Sequence, residues 1–404
     1  MREYAAYNLM LPEVLANPHP TYHQMRAESP VCYVFDAEQK TPVWLLTRYD
    51  DCAEFLKDNS NFYKDFAKHN RGEGDDDAVA NAAAVINRHM LTVDPPDHTR
   101  LRAIVHKAFT PRIIDSLGPR IQQIADDLLT KMAETDEADL IMSYAFPLPV
   151  TVIAELLGIP AEDRDRFRNW SQTIIFNSLR GEDLDAVGVA VLEFIMYFHT
   201  MFEERRAHPG DDLITGLLAA EEAGDKLDQQ ELISMIFLLL VAGHETTVNL
   251  IGNGTLALLQ NPDQMSKLRE DPSLIRTAVE EMLRYGSPVG QTSMRWAAHD
   301  FELHGAQIKQ GDMVLAALIA ANRDPAEFPD PDRFDITRTP NRHMAFGNGI
   351  HYCLGAPLAR LEGAIATNSL LKRFPNLELA VPAESLEWTP SLLLHGLRAL
   401  PVRY

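Results

Sequence analysis

The stretch "ELISMIFLLLVAGHETTVNLIGNGTLALLQ", Glu231 to Gln260, is apolar on nearly every face and limits the fold more than any other part of the sequence. A segment of this kind belongs either in the core of a large globular protein or in a bilayer. His244, Glu245, Thr246 and Thr247 interrupt it at the centre, and the uncharged apolar run before them, Ile236 to Ala242, is short. That run is far short of the roughly 20 residues a bilayer requires, so the segment reads as a long helix through the middle of a soluble protein. In such a helix Gly243 costs about 1 kcal/mol relative to Ala, and adjacent threonines compete with the backbone ladder through their hydroxyls. Two readings follow: a glycine at a close helix crossing beside a solvated Glu, or a helix opened against a ligand.

A chain of 404 residues, 46% of them hydrophobic, has enough material to bury a large core around that helix. The run "PRIIDSLGPRIQQIADDLLTKMAE" spaces Ile113, Leu117, Ile121, Ile124 and Leu128 by three and four, as an amphipathic helix does. Strand-like pieces are short and lie toward the ends: "VCYVF", "PVWLLT" and "MVLAALIA". The expectation is a mainly α fold with a minor β portion, in a single domain over 1–404 with no internal repeat. "NRGEGDDD", Asn70 to Asp77, reads as an exposed acidic loop. A formal charge of -21 argues against nucleic acid and anionic membrane as partners. The first thirty residues lack a basic segment followed by an apolar one, which points to the cytoplasm. Cys32, Cys52 and Cys353 are odd in number, widely spread and without a CxxC pair, so neither a disulfide framework nor a structural zinc site is expected.

Cys353 stands apart from the other two because of its surroundings. "FGNGIHYCLG", Phe346 to Gly355, sets it after two glycines and before a run of helical period, "LGAPLARLEGAIATNSLLKRF". Gly347 and Gly349 permit close backbone approach to a large flat body. At a loop-to-helix junction the exposed N–H groups and the helix dipole favour a thiolate. A nucleophile would need a base, for which His351 is available, but no third member or oxyanion arrangement accompanies it. One soft thiolate without further Cys or clustered His suits a haem iron, because the porphyrin supplies the four in-plane bonds.

"FGNGIHYCLG" also resembles the haem-binding signature of the cytochrome P450 family, and three further motifs stand in that family's order. "AGHETT", Ala242 to Thr247, is similar to its oxygen-binding helix; "EEMLR" supplies Glu281 and Arg284 of its ExxR motif; "PDRF" places Arg333 in its third structural position. The likeness reaches upstream to "DPPDHTRLR", Asp94 to Arg102, weakens over about 60–90 and 160–230, and is strongest to the soluble bacterial branch. It implies the cytochrome P450 fold, with haem (heme b, iron protoporphyrin IX) between the long central helix and the Cys loop and helix.

The resemblance implies further roles. Cys353 would be the axial ligand, with Ala242, Gly243, Phe346, Gly347 and Gly355 around the cofactor. His98, Arg102, Arg295 and His351 would meet the haem propionates, which need cationic or donor partners. Glu281 and Arg284, at i and i+3 on one helix face, would join Arg333 in a buried structural network. Glu245 and Thr246 would relay protons to dioxygen in a dry pocket. The implied activity is hydroxylation or epoxidation of a hydrophobic small molecule with O2 and two electrons. Those electrons come ultimately from NAD(P)H through a separate ferredoxin and ferredoxin reductase, docking a monomer near Lys107, Arg112 and Arg342. Pocket walls are expected from the region before Asp94, from the central helix near Leu240, from "SPVGQTSM" with Val289 and Met294, and from "SLLLHG" with Leu393. The alternatives are a peroxide-driven peroxygenase and a non-enzymatic haem sensor, neither of which needs the acid and alcohol at 245 and 246.

Overall fold

A computed structural model describes residues 7–36, 41–66, 86–107, 109–174, 183–222 and 227–404. The acidic loop Asn70 to Asp77 lies outside the described residues. The longer helices are α1 (His19–Glu28), α2 (Tyr49–Lys57), α3 (Asp97–His106), α4 (Gly118–Met132), α5 (Pro147–Leu157) and α6 (Arg164–Gln172). They continue with α7 (Leu184–Ala207), α8 (Leu213–Glu222), α9 (Gln229–Gln260), α10 (Pro262–Glu270), α11 (Ile275–Gly286) and α12 (Ala356–Arg373). The strands are β1 (Val31–Asp36), β2 (Thr41–Leu46), β3 (Phe62–Tyr63), β4 (Glu137–Asp139), β5 (Arg295–Ala297), β6 (Phe301–Leu303), β7 (Ala306–Ile308), β8 (Met313–Ala316), β9 (Glu378–Leu379) and β10 (Pro401–Arg403). The mainly α reading with a minor β portion holds. Two compact units share the chain: Met1–Tyr63, Leu117–Leu148 and Thr246–Tyr404 form one, and Lys64–Ser116 and Pro149–Glu245 the other.

In the first unit a five-stranded sheet has the order β1-β2-β8-β5-β3. Period-two alternation assigns its side chains to two cores. Val31, Trp44, Leu46, Val314 and Ala316 join Cys52, Phe55 and Leu56 on one face. Cys32, Val34, Val43, Leu45 and Leu315 join Tyr22 and Met25 on the other. Both upstream cysteines are therefore core residues, fully or almost fully buried. "MVLAALIA" is only half a strand: β8 ends at Ala316, opposite the last residue of β2, Leu46, and Leu318–Ala321 forms a helical turn. The N–H of Ala317 takes the Leu46 carbonyl at 2.9 Å, after which β2 offers no further ladder.

The loop that bears Cys353 leads into α12, which is held from several sides. It packs on α4 and α11. The Tyr144 hydroxyl donates to the Ala366 carbonyl at 2.9 Å, and Gln122 Nε2 donates to Ser369 Oγ at 2.8 Å. Gly363 lets α9 come close, since a Cβ there would lie 2.9 Å from Leu250 Cδ2. The amphipathic run starting at Pro111 is not one helix. It breaks between Ser116 and Gly118, where Pro119 starts α4, and the buried stripe of α4 becomes Ile121, Ile124, Ala125, Leu129 and Met132. Ile113 is consequently left 37% exposed.

In the second unit α7 packs against α6 and α8 through an aromatic cluster in which Phe167, Phe194, Phe198 and Phe202 are completely buried. Phe237 of α9 adds an edge-on contact to Phe194 at 5.6 Å between ring centroids. Arg100 on α3 fixes the start of α9 by a bidentate pair with Glu231 at 2.7 and 2.9 Å. The long apolar segment is the core helix it was expected to be: 78% of its most apolar window is buried. It is also continuous α-helix from Gln229 to Gln260, so of the two readings of Gly243 the opened helix is not the one present. Gly243 instead serves a close crossing, with its Cβ position 3.4 Å from Ile153 side-chain carbons.

Candidate functional site

Cys353 lies three residues before the first turn of α12, at the expected junction of loop and helix, and is half-buried. Its N–H donates to the Phe346 carbonyl at 2.9 Å, closing the loop on itself, and the Ala359 N–H donates to Gly355 at 2.9 Å to begin the helix. Gly347 and Gly349 have φ of +68° and +70°, the left-handed region that side chains disfavour. Their surroundings differ. A Cβ on Gly347 meets nothing within 4 Å, so the loop is open there, whereas one on Gly349 would lie 2.5 Å from the Leu56 carbonyl. Gly349 therefore serves packing against the end of α2 rather than approach to a ligand. Gly355 leaves room beside the sulfur, its Cβ position being 3.9 Å from Cys353 Sγ.

Arg295, on β5, is buried and donates to the carbonyls of Phe55 at 3.0 Å, Leu56 at 3.2 Å and Asp58 at 3.2 Å. It thus caps the end of α2 beside the same Leu56 that touches Gly349. His351 and Phe346 are half-buried on the Cys loop. In the second unit His98 and Arg102 share α3 one turn apart, His98 buried and Arg102 half-buried. The Asp94 carboxylate, which precedes them, accepts the N–H groups of Lys64 at 3.0 Å and Asp65 at 2.9 Å.

Midway along α9, Ala242 is exposed and Thr246, one turn on, is half-buried, so the two make an open stripe. Between them His244 and Glu245 turn inward and are buried. His244 Nδ1 lies 2.8 Å from the Leu240 carbonyl, and burial lowers its pKa to about 4, so it is neutral at pH 7. Burial raises Glu245 to about 7. Among the described residues its Oε2 has no hydrogen-bond partner, the His244 ring nitrogen being 3.9 Å away. A carboxyl that titrates near neutrality beside an alcohol on an open stripe is suited to carry protons.

A second acid was not anticipated from the sequence. Glu362 on α12 is 1% exposed, accepts a hydrogen bond from Thr247, has no partner at Oε2 among the described residues, and is raised by burial to about 8. Leu358, Glu362 and Ala366 are all buried at a spacing of four. A glutamate on an apolar stripe is the signal that could have revealed it.

The structural network beneath the loop requires one correction. Glu281 and Arg284 pair bidentately at 2.7 and 2.8 Å, both at 0% exposure, and Arg284 also donates to the carbonyls of Asn322, Pro331 and Arg333. Arg333 contributes only that carbonyl. Its side chain is 64% exposed and lies 4.0 Å from Asp335. The second guanidinium at Glu281 is that of Arg338, 3.2 Å from Oε2. Asn341 and the Asp335 N–H complete the carboxylate at 3.1 and 2.9 Å. Asp335 turns the chain against Glu281 and so brings in the arginine three residues on, which the sequence alone does not distinguish from Arg333.

Two of the expected pocket segments do come together. Val289 and Leu394 form a β-bridge, Gly290 N–H donates to Leu393 at 2.9 Å, and His395 N–H donates to Pro288 at 3.1 Å. Met294 is 37% exposed, but Val289 packs against the sheet core. Leu240 is completely buried.

The donor set fits a haem. Among the described residues no cluster of His, Cys, Asp and Glu could hold an ion by itself, and Cys353 offers one sulfur on an open glycine loop. Comparison with known proteins agrees. The family profile described as "Cytochrome P450" matches residues 162–398. Over 389 residues the chain is 48% identical to the polyketide biosynthesis cytochrome P450 PksS of Bacillus subtilis, covering 96% of this chain and 95% of that protein. It is also 48% identical over 387 residues to the vitamin D(3) 25-hydroxylase of Pseudonocardia autotrophica, covering 96% and 93%. The crystal structure of myxobacterial cytochrome P450 CYP267B1 with myristic acid superposes with a TM-score of 0.92 at 46% identity, covering 99% of both chains. The chain belongs to the cytochrome P450 family. It is a haem-thiolate monooxygenase that uses O2 and acts on a small molecule.

Proposed function

We propose that Cys353 is the axial haem ligand and that the whole chain acts as one catalytic domain in the cytoplasm, oxidising a hydrophobic small molecule with electrons from a ferredoxin and its reductase. Haem held by one thiolate supplies activation of O2 and transfer of one oxygen atom to a C–H bond. The chain's own residues must bind, exclude water and deliver protons. Arg295 and His351, both in the unit that holds Cys353, are candidate propionate partners. Ala242, too small to obstruct, keeps one turn of α9 clear in front of Thr246. The Thr246 hydroxyl holds dioxygen and a water in position, and Glu245 takes up and releases the proton at its Oε2. Glu362, through Thr247, forms a second acid and alcohol pair on the following residue. Arg342, which is exposed, is a proposed contact for an acidic electron donor.

The observation that carries this reading is the buried, partner-deficient Glu245 beside Thr246 on the open stripe. A peroxygenase would not need it, because peroxide already brings both electrons and protons. The test is the ratio of hydroxylated product to cofactor oxidised, with hydrogen peroxide assayed in parallel. Thr246→Ala is expected to keep haem content, substrate binding and electron uptake while diverting much of the oxygen to peroxide. An unchanged ratio would reduce Thr246 to a helix residue, and wild-type turnover with peroxide but not with ferredoxin would establish the peroxygenase.

A further inference from the structure

Glu280 and Glu281 are successive residues of α11 and point about 100° apart around the helix axis. Glu281 is sealed in the network described above, while Glu280 faces the Cys loop, where it meets Arg360 of α12. Arg360 Nε lies 2.6 Å from Glu280 Oε1 and Nη2 lies 2.9 Å from Oε2, a bidentate pair. The Arg360 guanidinium carbon sits 4.5 Å from the centre of the Phe346 ring, and Nη1 reaches the Tyr352 hydroxyl at 3.3 Å. On the other side His343 Nε2 lies 3.0 Å from Glu280 Oε2, while the Ala345 N–H donates to His343 Nδ1 at 3.2 Å. That N–H requires Nδ1 to accept, so Nε2 carries the proton and donates to the carboxylate.

The contacts form a circuit. It leaves the loop at Ala345, passes through His343, Glu280 and Arg360, and returns to the loop at Phe346 and Tyr352. Phe346 is the residue whose carbonyl holds the Cys353 N–H, and Tyr352 is the immediate neighbour of Cys353. Burial works to raise Glu280, but Arg360 and then His343 hold it down at about 2, so both charges persist through any working pH. The side chains are 28% and 37% exposed, and a pair this accessible adds little to stability. Its geometry is nonetheless fixed at four points, and the cation lies on the face of an aromatic ring, where the ring quadrupole attracts it.

We propose that Glu280 and Arg360 are positioning residues of the thiolate loop, a balanced charge pair that orients Phe346 beside Cys353 and sets how easily the haem accepts its electron. The inference rests on Cys353 being the ligand. Reduction of ferric to ferrous haem adds one electron and no atom, so a nearby positive charge favours it and a nearby negative charge opposes it. With both partners present the two effects largely cancel. Removing one exposes the other, and the two removals act with opposite sign.

The experiment is spectroelectrochemical titration of the haem-loaded protein, one electron per haem coming from the electrode, with the wild type, Glu280→Gln, Arg360→Gln and the double variant. At a fixed applied potential the ferrous to ferric ratio is expected to rise about three- to tenfold in Glu280→Gln and to fall by a similar factor in Arg360→Gln, with the double variant within about twofold of wild type. Ratios that move in the same direction in both single variants, or in neither, overturn the proposal, because a purely structural pair has no sign to reverse. If Arg360→Gln does not retain haem, Arg360→Lys replaces it: charge kept without the fork and the stacking should leave the ratio closer to wild type than Glu280→Gln does, and a larger shift overturns the proposal. A wild type without the red-shifted Soret band of the reduced carbon monoxide complex would instead refute the assignment of Cys353, a failure distinct from that of the charge pair.

Discussion

At Glu281 the carboxylate is met by Arg284, Arg338, Asn341 and the Asp335 N–H, whereas at Glu245 one oxygen has no hydrogen-bond partner among the described residues. Both side chains are shut away from water. One acid has its charge fully compensated, and the other is pushed toward its neutral form. A buried carboxylate met by that many donors fixes the position of each of them, so its value is geometric. An acid poised near neutrality in a dry site has the property that proton transfer requires. Burial alone therefore says little about role. The completeness of the partner shell is what distinguishes the two acids.

The largest expected effect breaks the compensated side of this contrast. Arg284→Ala leaves Glu281 buried without its main partner, at a cost of about 3 to 5 kcal/mol, a large part of a domain's stability. The outcome to measure is haem content after purification, with apoprotein or aggregate expected; a fully loaded, thermally normal variant would mean the pair is dispensable. Next in size is Glu245→Gln. A carboxyl raised from 4.5 to about 7 is protonated in the native state where the unfolded chain has already released its proton. The stability it contributes is complete below about pH 4.5 and is lost as pH rises through about 7. The variant should therefore gain on the wild type as pH increases across that window, by at most about 3 kcal/mol. Glu362 imposes a slope of the same sign on both proteins and cancels in the comparison. A melting-temperature difference independent of pH would place Glu245 in contact with solvent. The smallest pair sharpens the compensated side: Arg338→Ala should cost about 1 to 3 kcal/mol, because it strips a donor from a buried acceptor, and Arg333→Ala less than about 0.5 kcal/mol. Denaturation midpoints giving the reverse order would restore Arg333 to the network.

Much of this was legible because the chemistry depends on residue types at short spacing. Cys353 after its glycines, Glu281 with Arg284, and Glu245 with Thr246 each lie within one turn or one loop. The strands β1 and β2 were readable from alternation for the same reason. What escaped depends on partners distant in sequence. Nothing near Gly349 indicates that its neighbour is the carbonyl of Leu56, and nothing near Arg333 indicates that Arg338 will be the one turned inward. The end of β8 was hidden because a strand stops where its neighbour stops, at Leu46. Glu362 is different, since its place among Leu358 and Ala366 was available from the sequence.

The two sheet faces that enclose Cys32 and Cys52 have a chemical consequence of their own. An oxygenase that miscarries releases peroxide into its own surroundings, and sulfur oxidation begins from an accessible thiolate. Cys32 is 2% exposed and raised by burial to about 11, and Cys52 is 0% exposed and raised further still. Neither offers an anion or an approach for an oxidant. Of the chain's three sulfhydryl side chains, the oxidisable one is the half-buried Cys353. Alkylation of the folded protein should accordingly count a single sulfur, and its disappearance on loading with haem would report occupancy directly.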